Sequence, residues 1–171
     1  IRDRSKYLPT PLITKTITEN NSEFYDLIDS NDTTIGPLGT FHGNFGLLLR
    51  AYVYIRILGR EGISNISEDA TLNANYIKAK LENILDLPLG RTCMHEVVFS
   101  AKTLKTKFGI TALDLAKRLI DYNIHPPTMY FPLIVEEALM IEPTESETKE
   151  TLDHFIDVMK QIVSDAMNNP D

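Results

Sequence analysis

The residues best suited to chemistry gather between Asp121 and Glu145, in DYNIHPPTMYFPLIVEEALMIEPTE. His125 offers an imidazole that can carry a proton near neutral pH, and Thr128 offers a hydroxyl that can donate or accept a hydrogen bond. Pro126 and Pro127 stand between them, and Pro132 and Pro143 follow. Proline fixes φ, removes a backbone donor and pushes the preceding residue to extended geometry. His125 and Thr128 are therefore expected in one fixed conformation at the mouth of a small sheet. Rigid loops at strand ends are where sites are commonly built. The alternative is a tight turn without chemistry.

His95-Glu96 suggests a zinc-protease motif, but that motif needs a second histidine one helical turn on, where Phe99 stands. A zinc hydrolase is thus rejected. Two readings stay open: His95 or Glu96 lines a cleft from the start of a strand, or the two form a structural pair. Cys93 has only Arg91 nearby to lower its pKa, so its default reading is a buried or half-buried thiol rather than a nucleophile.

Gly43-Asn44-Phe45-Gly46, preceded by His42, leads into a helical pattern. Such a loop can present backbone N–H groups to a phosphate or carboxylate. Equally, its glycines can serve only close packing. His154 reads as a surface residue. No pair of the four histidines has metal-ligand spacing, and no metal is expected. Glu142, Glu145, Glu147 and Glu150 read mainly as an acidic helix start favoured by the helix dipole.

At 171 residues the chain suffices for one good core, or for a small domain plus part of another. A net charge of −7 and a pI near 5.1 provide no basic field for a polyanion. No stretch approaches the ~18 apolar residues that a membrane span needs. The opening Ile1–Lys6 does not read as a signal peptide. A lone cysteine excludes an internal disulfide and points to a reducing cytoplasm. The sequence starts at Ile rather than Met, so a piece of a longer product is expected.

The elements that would position these residues follow from patterning. Residues 8–29 read as a hairpin turning through Glu19–Ser22. Residues 30–46 read as loop. Residues 46–58, GLLLRAYVYIRIL, are apolar nearly all round a helix, so burial between layers or subunits is expected, with Gly59 and Gly62 ending the helix. A second helix should start at a Ser67 cap and bury Ala70, Ala74, Ile77 and Leu81. Met94–Ala101 reads as a strand. Thr111 and Asp114 should box a third helix burying Ala112, Leu113, Ala116, Leu119 and Ile120, with Asn123 in the left-handed capping position. Strands follow near Met129–Phe131 and Ala138–Ile141, joined through Glu136 and Glu137. Thr144 and Glu147 should box the last helix, whose stripe is Leu152, Phe155, Ile156, Met159, Ile162 and Val163. This order predicts an α+β domain, with helices on one face of a small, mostly antiparallel sheet.

Several segments together resemble the glycine dehydrogenase (decarboxylating) family, the P-protein of the glycine cleavage system. They are HGNFG with LLRAYVYIR and LGREG, then LNANYIKAKL, Met94-His95-Glu96, and DLAKRLIDYNIHPPTMYFPLIVEEALMIEPTESETKETLD. The resemblance runs along the whole chain and is most like subunit 2 of the two-subunit form. It implies the C-terminal part of a pyridoxal-phosphate enzyme with the aspartate-aminotransferase-like fold (fold type I). Residues 1–45 would end the large domain, 46–64 would form a connecting helix and 65–171 the small domain. Such an enzyme decarboxylates glycine and passes the aminomethyl group to the lipoyl arm of H-protein. P-protein subunit 1 is the implied partner in an oligomer.

The family's Schiff-base lysine lies in a His-Lys-Thr segment that is not found here, so this chain is expected to be inactive alone and to bind no cofactor itself. His125, Thr128, His95 and Glu96 are then candidates to line the cleft, and His42, Gly43 and Asn44 to lie near the cofactor. Val97 and Asn123 depart from the family's usual Phe and Gly, and many members have Ala where Pro126 stands. The alternative function is a non-catalytic interaction domain that docks through the Gly46–Leu58 helix.

Overall fold

The computed structural model describes residues 8–28, 34–37 and 43–169. The chain divides into two compact units, residues 1–57 and 58–171.

In the first unit, β1 (Leu12–Ile17) and β2 (Glu23–Ile28) form the expected antiparallel hairpin, in register from Leu12↔Ile28 to Ile17↔Glu23. Asn21 takes the left-handed conformation at the turn, with φ 60°. That conformation suits a short polar side chain. Helix α1 (Phe45–Leu81) begins in this unit and continues into the second. Asn44 Oδ1 accepts the Gly46 N–H at 2.9 Å and so caps its first turn.

Gly59 breaks α1 with φ 64° and ψ −169°, as its position predicts, but the helix resumes at once. Ser67 is therefore not a cap. It lies inside the helix, where its carbonyl accepts the Thr71 hydroxyl at 2.7 Å. Gly62 ends nothing either, since one interior glycine costs a helix only about 1 kcal/mol. Residues 45–57 are all exposed, with Phe45 76% and Ile57 78% accessible, so no layer among the described residues of this chain buries them, and of the two expected forms of burial the one against another subunit is left.

The second unit holds the core. Strands β3 (Val97–Ser100), β4 (Thr128–Met129) and β5 (Ala138–Ile141) form an antiparallel sheet in the order β3-β5-β4. Alternation along the strands sends Val97, Phe99, Leu139 and Ile141 to one face. There they meet Ile77 and Leu81 of α1, Leu104 of α2 (Lys102–Phe108), Leu115 and Leu119 of α3 (Ala112–Asp121), and Ile156, Met159 and Val163 of α4 (Lys149–Asn168). Val98 and Ala138 face the other way and are covered by Val135 from the preceding loop. All four helices thus pack on one face of the sheet. Each fully buried Leu or Phe there contributes about 1.5–3 kcal/mol.

The α1 stripe Ala70, Ala74, Ile77 and Leu81 is buried as the spacing predicts. Thr111 and Asp114 form the expected reciprocal capping box. The buried face of α3 departs from prediction: Leu115 is buried while Leu113 and Ile120 are exposed. The Ala112–Ala116–Leu119 line fixes the face, and Leu115, not Leu113, lies on it. Helix α4 buries Val158 and Ala166 beyond the predicted stripe, while Phe155 is half-buried. Its cap is Thr148, which accepts the Thr151 N–H, and not Thr144.

Strand β3 is shorter than the predicted Met94–Ala101, and Met129–Phe131 shifts to Thr128–Met129. Tyr130 stands at φ 58°, which no extended strand accommodates. Helix α2 escapes sequence reading because seven residues are too few to show a period. Part of its N-terminus is satisfied from afar, where Asp86 Oδ2 accepts the Thr103 N–H at 3.0 Å.

Candidate functional site

The turn that carries His125 is built by the end of α3. Ile124 N–H bonds to the Leu119 carbonyl and Asn123 N–H to the Ile120 carbonyl, at 3.0 and 2.9 Å, with Asn123 at φ 59°. This is the Schellman closure, and it fixes the direction in which the chain leaves the helix. Pro126 and Pro127 then carry the backbone into β4 at Thr128, which pairs with Met140.

The result is an open groove of about 590 Å³ in the second unit. Its apolar lining includes Ile77, Ile124, Ile141 and Leu152, and its polar groups include His125, Thr128, Glu142, Glu147 and His154. His125 and Thr128 are exposed to it, and no side chain among the described residues hydrogen-bonds either the imidazole or the hydroxyl. Both groups are therefore available to a ligand. Glu147 is partly committed, accepting the Thr151 hydroxyl at 2.9 Å. His154, which sequence reading assigns to the surface, is exposed and lines the same groove.

His95 and Glu96 sit just before β3, at a second depression of about 500 Å³. His95 Nε2 lies 3.9 Å from Glu96 and 3.8 Å from Glu142. Glu142 also lines the His125 groove, so it connects the two pairs of predicted residues. Sequence reading takes Glu142 as part of a helix start. The register of β3 on β5 gives it this other position, and no local motif carries that information.

Cys93 lies on the same depression, half-buried as predicted. Its thiol donates to Asn75 Oδ1 at 3.3 Å, and burial pushes its pKa up, which disfavours a thiolate. Gly43 and Asn44 belong to the first unit, where the Asn44 side chain is engaged by the helix N-terminus. His42 lies outside the described residues.

One functional-looking carboxylate turns out to be an anchor. Glu137, expected only as a turn residue, is 5% exposed at φ 53°. Its Oε1 accepts Lys105 Nζ at 2.5 Å and its Oε2 accepts the Ala112 N–H at 2.8 Å. Burial pushes its pKa up, but the Lys105 and Ala112 bonds outweigh that and hold it below the ordinary 4.5.

The architecture matches a solved structure. It superposes on the crystal structure of glycine decarboxylase (P-protein) of the glycine cleavage system, in inhibitor-bound form, with a TM-score of 0.65 and 15% identity, over 91% of this chain and 36% of that one. The α+β fold expected from the sequence is therefore one that this P-protein also contains.

Residues 66–169 match the family model described as glycine dehydrogenase, C-terminal domain, and the chain belongs to that family. Among its curated relatives, the probable glycine dehydrogenase (decarboxylating) subunit 2 of Staphylococcus epidermidis is 51% identical over 98% of this chain and 32% of its own length. The corresponding protein of Thermotoga maritima is 48% identical over 96% of this chain and 34% of its own. The chain thus spans about a third of the length of these relatives.

Proposed function

We propose that this chain serves as the C-terminal part of a glycine dehydrogenase (decarboxylating) subunit 2. The intact enzyme would decarboxylate glycine with pyridoxal phosphate and transfer the aminomethyl group to the lipoyl arm of H-protein, in an oligomer with P-protein subunit 1. Residues 1–45 would end the large domain, 46–64 would form the connecting helix, and 65–171 the small domain. A cytoplasmic location belongs to this reading. The observation that carries the proposal is near-complete alignment of the chain, at about half identity, with relatives named for this activity.

The groove does not fit a covalently held cofactor. No lysine or arginine lines it, so it offers neither an amine for an imine nor a cation for a phosphate. Five lysines elsewhere pair with carboxylates: Lys15, Lys78, Lys102, Lys105 and Lys149. No step through the cofactor is therefore assigned to this chain. What the chain supplies is positioning. His125 can hold a proton or a hydrogen bond at either ring nitrogen, and Thr128 can direct its hydroxyl to the same space, on a loop that two prolines stiffen. Gly43 and Asn44, with His42, complete the proposal as residues near the cofactor.

In the intact two-subunit enzyme, His125→Ala is expected to lower glycine–CO2 exchange by about 100-fold, the usual cost of losing an orienting contact. Thr128→Val tests the hydroxyl in the same assay. Unchanged exchange in His125→Ala would remove the imidazole from the site.

A further inference from the structure

We propose that His95, Glu96 and Glu142 form a binding site for a divalent transition-metal cation of the zinc type. This proposal does not depend on the glycine-cleavage reading.

The antiparallel register pairs Val97 with Ile141. Glu96 precedes Val97 and Glu142 follows Ile141, so the two carboxylates flank the last rung of the ladder and come together across it. Like charges facing each other across strands are destabilising unless a cation lies between them. The only basic side chain within 4 Å of either carboxylate, among the described residues, is His95. His95 Nε2 lies 3.8 Å from Glu142 Oε1 and 3.9 Å from Glu96 Oε2, and the three donor atoms lie within 4.8 Å of one another.

One imidazole nitrogen and two carboxylate oxygens are a donor set that zinc accepts, with bonds of about 2.0–2.2 Å. Tetrahedral geometry then places donors about 3.4 Å apart. The observed spacing needs a contraction of well under 2 Å across the widest pair. All three side chains reach solvent and can rotate to provide it. Water would fill the remaining position, which makes this an open site rather than a closed structural one. The ligands come from residues 46 positions apart, which is why no spacing motif reveals them.

The test uses the 171-residue chain freed of metal with a chelator. Zinc is titrated by calorimetry, and cobalt(II) by its visible absorption. The expected result is saturable binding of one equivalent. His95→Ala and Glu142→Gln should each weaken it by about tenfold or more, since even groups behind the ligands cost that much. Glu96→Gln, the second carboxylate variant, should weaken it likewise. Cys93→Ser should leave binding unchanged, because the thiol is engaged with Asn75. Absence of saturable binding, undiminished affinity in His95→Ala or Glu142→Gln, or loss of binding in Cys93→Ser would each overturn the proposal. Circular dichroism confirms that each variant is folded.

Discussion

Replacing Glu137 separates two effects that the structure places on one residue. Its carboxylate satisfies the first N–H of α3 at Ala112 and holds Lys105, while its backbone sits in the left-handed region. Glu137→Ala strands the Ala112 N–H at a fully buried residue, and an unsatisfied buried donor costs about 1–3 kcal/mol. The Lys105 ammonium is nearly half exposed and recovers water, so its release adds little. Glu137→Gly also loses the side chain but removes the left-handed penalty. Net of chain entropy, it should be about 0.5–1 kcal/mol less destabilising than Ala. Glu137→Gln keeps an acceptor for Ala112 and should be the mildest of the three. The assay is urea denaturation at neutral pH, followed by helical circular dichroism and compared by midpoint at constant slope. A Gln variant as unstable as Ala would refute the account, because the Ala112 bond would then not be the source of the loss.

Three further predictions concern other parts of the chain. Glu137 and Asp114 both have carboxyls held below their ordinary 4.5 and 3.8, by Lys105 and Ala112 and by Thr111 respectively. Between the lowered folded values and the unfolded ones the unfolded chain binds more protons, so stability rises with pH there. Denaturation midpoints should be steady from about pH 5 to 8 and fall as the pH drops below 4.5. A pH-independent midpoint down to pH 3 would contradict this.

Asn123→Val puts a β-branched residue at φ 59° and should cost about 1–2 kcal/mol, whereas Asn123→Gly should be neutral or stabilising in thermal melts. The exposed apolar residues of 45–57 should make the isolated chain self-associate, with a concentration-dependent sedimentation coefficient. Leu48→Glu with Ile55→Glu should return it toward monomer.

Much of this architecture is legible wherever the determinants are local. The β-branched run at Leu12–Ile17 and the polar turn after it specify the hairpin. Thr111 with Asp114 specifies the start of α3, and Asn123 its end. The stripe of α4 is visible because twenty residues show several turns of one period. Errors occur where distant groups decide. Asp86 helps to start α2 from outside it, and Ser67 resembles a cap but lies inside a helix that has already resumed after Gly59. Thr148, not Thr144, caps α4, because the turn through Thr144–Glu147 keeps those residues outside the helix. Patterning finds the apolar character of Gly46–Leu58 but not that the chain itself supplies no layer over residues 46–57.

The site divides along the same line. His125 and Thr128 are found from proline stiffening and share a groove. The meeting of Glu142 with His95 and Glu96 depends on strand register, and the anchoring role of Glu137 depends on Lys105 and Ala112 arriving from two other elements. Neither could be read from spacing along the chain.

The most direct test of the functional reading is a chimera. Residues 66–169 of this chain would replace the matching segment in the Staphylococcus epidermidis relative, which would then be assembled with its partner subunit. If the segment does the same work in both proteins, the chimera should retain glycine–CO2 exchange, and His125→Ala within it should abolish most of that exchange. A chimera that folds, assembles and binds pyridoxal phosphate yet shows no exchange would contradict the assignment.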